Sequence, residues 1–72
     1  MKLRIRDLRE DRDLTQTAVA KILGCTQQTY SRYESGEIII DIYNLIKLAE
    51  FYGTSCDYLL GLTDIFKPYK KN

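Results

Sequence analysis

Seventy-two residues, 44% hydrophobic and 29% charged, suffice for one compact domain and are too few to enclose a substrate pocket. The longest apolar run is Ile38-Ile39-Ile40, far short of the roughly 20 residues of a membrane span, and the first residues lack a signal-peptide core, so a cytoplasmic protein with no membrane partner is expected. Histidine is absent, and two cysteines, Cys25 and Cys56, cannot complete a four-ligand zinc site, so no metal or other cofactor is expected and both thiols read as free side chains at apolar positions.

The formal net charge of +1 does not announce a nucleic-acid partner, but its distribution is uneven. Residues 1–36 hold seven cations against five carboxylates, whereas residues 37–66 hold Lys47 against Glu37, Asp41, Glu50, Asp57 and Asp64. Such a chain has a basic front and an acidic back, an asymmetry that would orient it on a polyanion.

Five helices are marked by their punctuation. The first runs from Leu3 to Arg12 with Ile5 and Leu8 on one side, until Arg12-Asp13-Leu14 breaks the pattern. Thr15 is a natural N-cap for the second, Gln16 to Leu23, which places Val19, Ala20 and Leu23 on one face and stops at Gly24. Thr26 caps the third, Gln27 to about Glu34, in which Tyr30 and Tyr33 share a face and Gln27, Gln28, Ser31 and Arg32 point away; Ser35-Gly36 ends it. The fourth, Asp41 to Tyr52, carries Ile42, Leu45, Leu48, Ala49 and Tyr52 inward, with Asp41 as cap and Gly53 as stop. Ser55 caps a short fifth from Cys56 to Leu60, closed by Gly61. No strand-period alternation of useful length appears, so the fold class is all-α, with residues 1–61 as the domain and 62–72, containing Pro68, as a C-terminal tail.

The informative stretch is Gln16 to Tyr33. Two short helices joined by Gly24-Cys25 cannot lie parallel; a tight glycine turn sets them at roughly 90–120°. Ala20 is then the small residue at their closest approach, and Val19, Leu23, Cys25, Tyr30 and Tyr33 lock the angle. In this geometry the first helix braces across a DNA backbone and the second lies in the major groove.

The pattern Leu14-Thr15-Gln16-x-x-Val19-Ala20-x-x-Leu23-Gly24-Cys25-Thr26, followed by Tyr30-Ser31-x-Tyr33-Glu34-x-Gly36, resembles the lambda-repressor-like (Cro/CI, or XRE-type) helix-turn-helix family. The likeness continues through Leu45-Ile46-x-Leu48-Ala49 and the run from Gly53 to Leu60, covering about residues 3 to 61. It implies a compact five-helix DNA-binding domain, acting as a homodimer on a near-palindromic double-stranded operator as a transcriptional regulator, a repressor above all. Carried over by position, Gln27, Gln28, Ser31 and Arg32 fall on the family's base-reading face, and Gln16 and Thr26 on positions that contact phosphate. The chemistry agrees: glutamine pairs bidentately with adenine N6 and N7, and arginine with guanine O6 and N7. Arg9 and Glu34 fall where the family brings two side chains close, implying a partly buried ion pair that fixes the reading helix against the first. The family also pairs through the region after Tyr52, which makes Leu59, Leu62, Ile65 and Phe66 the dimer candidates.

Two departures stand out. Glu37 occupies a position where the family often places a phosphate-binding cation, and three isoleucines follow where proline or polar residues are common. Three β-branched apolar residues in one loop cannot all face one core, so one packs inward and another is a candidate contact with a second copy or a partner protein. The six tyrosines could suggest a stacking platform for single-stranded nucleic acid, but Tyr30, Tyr33 and Tyr52 fall on core stripes. With no histidine, nucleophile elbow or phosphate loop, no enzyme is expected. The rival is an antitoxin or adaptor whose helix-turn-helix domain mainly holds a partner protein through the isoleucines and the apolar tail.

Overall fold

The computed structural model describes residues 3–68; the last four residues of the expected C-terminal tail, 69–72, lie outside them. Within that span the chain is all-helical, in the order α1 (Ile5–Asp11), α2 (Gln16–Leu23), α3 (Gln27–Ser35), α4 (Ile42–Tyr52) and α5 (Cys56–Leu59), with no strand among the described residues.

The boundaries follow from local chemistry. Thr15, Thr26, Asp41 and Ser55 each sit in extended backbone at a helix start, and each side chain accepts a hydrogen bond from the amide three residues on. A cap of this kind stabilises a helix by about 1 kcal/mol. Gly24, Gly36 and Gly53 end α2, α3 and α4 in the left-handed region. The first helix is shorter than expected, because nothing in the sequence caps it: Arg4 stands at its N-cap without a side-chain bond. Asp13 then turns the chain in left-handed backbone (φ 54°), and the Leu14 amide reaches back to the Arg9 carbonyl.

Every helix contributes to one core. Ile5 and Leu8, Val19, Ala20 and Leu23, Tyr30 and Tyr33, Leu45, Leu48, Ala49 and Tyr52, and Leu59 are buried together, and Cys25 and Cys56 pack against them as free, half-buried thiols. The three core tyrosines are therefore wedges between helices rather than a stacking platform.

Two expectations need correction. Ile42 was placed inward, yet it is 65% exposed. It stands at the edge of the α4 stripe on the first turn, where Ile40, entering just before the cap, already closes the core. Leu59 was a dimer candidate, yet it is 0% exposed and its carbonyl accepts the Arg4 amide at 3.0 Å. Leu59 is the one fully buried residue of α5, so it is unavailable to a partner without unfolding.

The segment after α5 does not hang free. Arg4 donates to the Thr63 carbonyl at 3.1 Å, pairs with Asp64 at 2.7 Å and lies over the Tyr58 ring at 4.5 Å. Tyr58 meets Phe66 edge to face, and the Thr54 hydroxyl donates to the Phe66 carbonyl. Residues 62–68 are thereby pinned beside α5, leaving Leu62 and Ile65 facing solvent and Phe66 partly so.

Candidate nucleic-acid interface

The site begins with the turn between α2 and α3. The Gly24 amide donates to the Lys21 carbonyl at 3.1 Å and the Cys25 amide to the Ala20 carbonyl at 3.0 Å, closing α2 before Thr26 opens α3. Gly24 has φ 71°, while a methyl added at its Cα would meet nothing within 4 Å, so conformation and not space requires glycine here. Ala20 is buried on α2, which packs against α3. The two helices are thus joined by three residues with a fixed backbone path.

Upon this base α3 turns Tyr30 and Tyr33 into the core and presents Gln27, Gln28 and Arg32 to solvent, with Ser31 half-buried beside them. The Gln28 side chain makes no hydrogen bond within the described residues, leaving its amide available. All four residues expected to read bases therefore lie on one helix, three of them exposed.

Behind this face runs a chain of polar contacts. Arg9 grips Glu34 side-on, Nε to Oε2 at 2.6 Å and Nη2 to Oε1 at 3.2 Å, while its Nη1 donates to the Leu14 carbonyl at 2.9 Å. The pair is 13% and 4% exposed, so the expected ion pair between α1 and α3 is present and nearly dry. Gln16 Nε2 donates to Glu34 Oε1 at 3.1 Å, and Gln27 Nε2 donates to Gln16 Oε1 at 2.6 Å. Ion pair, α2 and the first turn of α3 are joined in one relay. The sequence points to the Arg9–Glu34 pair and, separately, to Gln16 and Gln27 as DNA contacts, but nothing in it signals that the two glutamines join the pair.

The electrostatics follow from burial. Loss of water alone would push the Glu34 carboxyl up, but the hydrogen bonds from Arg9 and Gln16, the neighbouring Tyr30 hydroxyl and the Arg9 charge outweigh it and hold the carboxyl below its ordinary range. The Glu34 hydrogen bond in turn raises Arg9 against the opposing effect of burial. The Tyr30 hydroxyl is buried next to Glu34, outside good hydrogen-bond geometry, and burial together with that carboxylate drives it well above the usual tyrosine range. A groove of about 620 Å³, lined by Arg6, Gln16, Ser31 and Ser35 among others, runs along the same side of α3.

At the two ends of α3 the chain departs from a simple reading surface. The Thr26 hydroxyl is occupied within the protein, donating to Thr29 Oγ1 at 3.0 Å while accepting the Thr29 amide at 3.1 Å. Beyond the C-terminus, Glu37 approaches Arg32, its Oε2 at 3.4 Å from the guanidinium Nε. The basic residue of the reading face, Arg32, thus carries its own carboxylate.

Residues 5–59 match the family model described as helix-turn-helix, spanning all five helices. The chain belongs to the lambda-repressor-like, XRE-type helix-turn-helix family. Among curated relatives of the family, the chain is 38% identical over 61 residues to the uncharacterized HTH-type transcriptional regulator YobD of Bacillus subtilis, covering 85% of this chain and 54% of that protein. It is 46% identical over 50 residues to the cryptic phage CTXphi transcriptional repressor RstR of Vibrio cholerae, covering 69% of this chain and 45% of the repressor. With the HTH-type transcriptional regulator AnsR of Bacillus subtilis it shares 36% identity over 58 residues, covering 81% of this chain and 50% of AnsR. The chain therefore spans about half the length of the curated relatives it matches. No solved structure matches it significantly. These relatives are named as transcriptional regulators or repressors, and no helix among the described residues is long and apolar enough to cross a membrane.

Proposed function

We propose that this protein binds double-stranded DNA sequence-specifically and acts as a transcriptional repressor, as a homodimer on a near-palindromic operator. The observation that carries this reading is the rigid presentation of Gln27, Gln28 and Arg32. They stand exposed on α3 while the Arg9–Glu34–Gln16–Gln27 relay and the Gly24 turn fix that helix against α1 and α2. Gln27 and Gln28 read adenine edges and Arg32 a guanine edge, with Ser31 as a smaller contact. Gln16 and Thr26, at the N-terminal ends of α2 and α3, sit where phosphates would flank the groove.

One such helix reads only a few base pairs, and a net charge of +1 gives little sequence-independent attraction to make up the deficit. Two copies with reading helices one DNA turn apart, roughly 34 Å, remove that limit. With Leu59 inside the core, the dimer surface reduces to Leu62, Ile65 and Phe66, which the contacts of Arg4, Thr54 and Tyr58 hold in place. Selection of bound duplexes from a random DNA pool, followed by titration of the selected site against a scrambled one at two salt concentrations, tests the proposal. A palindromic site with salt-sensitive, sequence-dependent binding supports it; equal affinity for both duplexes opposes it.

One observation favours a second role. Ile39 is 95% exposed, and Ile42 and Tyr43 follow it into solvent, an apolar surface a partner protein could cover. Recovery of a stoichiometric partner that is lost on Ile39→Asp would support an adaptor or antitoxin role alongside DNA binding.

A further inference from the structure

Arg32 and Glu37 are five residues apart, a spacing that would not bring them together along a continuous helix. They meet because the chain doubles back at the end of α3. Gly36 turns in left-handed backbone (φ 81°), Ser35 Oγ donates to the Arg32 carbonyl at 3.2 Å, the Glu37 amide donates to Ser35 Oγ at 3.3 Å, and the Ile38 amide closes on the Arg32 carbonyl at 3.4 Å. This folded turn sets the Glu37 carboxylate against Nε of Arg32 at 3.4 Å, with both side chains more than half exposed.

The atom engaged matters. A guanidinium has five N–H donors, and a contact at Nε leaves the Nη1 and Nη2 end uncommitted. That end, used end-on, is a fork able to meet O6 and N7 of guanine. A carboxylate at Nε therefore restrains the swing of the long arginine stem without blocking the fork. Its negative charge also disfavours a position of the Glu37 loop against phosphate.

We propose that Glu37 is a positioning residue for base recognition: it buttresses Arg32 for end-on contact with guanine while lowering affinity for DNA in general. This rests on the proposed reading of DNA by α3. Removing the carboxylate thus has two effects of opposite sign, tighter binding to unrelated DNA and weaker discrimination at one base pair. A carboxylate that merely repelled phosphate would give the first effect alone.

The experiment uses the full chain and duplexes built on the site selected by the wild type. Arg32→Ala first identifies the base pair whose preference depends on Arg32. Wild type, Glu37→Gln, Arg32→Ala and the double variant are then titrated with duplexes carrying guanine or each other base there, and with an unrelated duplex. Thermal melts accompany each variant; both positions are exposed, and unchanged melting is expected. Glu37→Gln should bind the unrelated duplex more tightly while discrimination for guanine falls about two- to fivefold, the size an exposed ion pair supplies. In the Arg32→Ala background the same change should leave discrimination untouched. Equal tightening of Glu37→Gln on matched and mismatched duplexes would overturn the buttress. If Arg32→Ala alters no base preference, the buttress and the base contact of Arg32 both fall, while reading by Gln27 and Gln28 stands. If the wild type selects no preferred site, the proposed function itself fails.

Discussion

Arg9 of α1 and Glu34 of α3 meet at 2.6 Å almost out of reach of water, and this contact anchors the reading helix from behind. Both oxygens of the carboxylate are engaged, one by Arg9 and the other by Arg9 and Gln16. Glu34→Gln keeps the shape but leaves the arginine buried without its counter-charge, a loss of about 3 kcal/mol or more. In a domain of this size that lowers Tm by more than about 10 °C. A thermal melt of the variant measures it, and an unchanged Tm would show that the pair contributes nothing net.

Acid should act through the same carboxylate. Glu34 is held below its ordinary pKa in the folded chain, so the unfolded chain binds its proton more readily. Its contribution is present above the unfolded value, about pH 4.3, and is lost as pH falls below that toward the folded pKa. Tyr30 and Tyr52 lie the other way: burial raises both, so their contribution holds below about pH 10 and is lost as pH rises further. Melts from pH 3 to 11 should show both limbs, with the acid limb shallower in Glu34→Gln. An acid limb of equal steepness in that variant would assign acid sensitivity elsewhere.

Ala20 is buried on α2, and its small size suits the crossing with α3. Ala20→Leu adds a branched side chain with no space to receive it and should cost roughly 1–3 kcal/mol by overpacking. Circular dichroism melts check this; a variant that melts like the parent and still binds DNA would remove Ala20 from the helix crossing.

Dimerisation should depend on residues beyond α5. Leu62 and Ile65 are largely exposed, so Leu62→Asp with Ile65→Asp should leave the fold within about 0.5 kcal/mol per site. The double variant should still bind an isolated half-site but lose the extra affinity for the palindrome, read by gel shift. Undiminished preference for the palindrome would place the dimer contact elsewhere.

Much of this architecture was legible in the chain because its signals are local. Thr15, Thr26, Asp41 and Ser55 announce helix starts, and Gly24 and Gly53 announce ends, through hydrogen bonds reaching only a few residues. What escaped depends on contacts distant in sequence. Nothing near Arg4 signals that it will clamp Thr63 and Asp64, so residues 62–68 read as a loose tail. Ile42 fits the helical stripe by spacing, and only the arrival of Ile40 shows that its place is taken. Leu59 carried a dimer role by analogy, whereas in α5 it is the residue turned fully into the core, with Cys56 and Tyr58 only partly buried against it. On the reading face, the residue types were visible, but the relay from Arg9 to Gln27 crosses three helices and emerges only with the fold.

Gln28 bears most directly on the central claim that α3 reads DNA. Its side chain is exposed and unpaired among the described residues, so Gln28→Ala should change Tm by no more than a degree or two. Selection from one random duplex pool with wild type and Gln28→Ala in parallel compares their preferences base by base. The expected result is loss of preference at one position in each half-site, symmetrically, with the rest of the site retained and discrimination there reduced by about 1–3 kcal/mol. Identical selected sites for the two proteins, or a variant that loses stability while keeping its preference, would contradict the assignment of base reading to this face of α3.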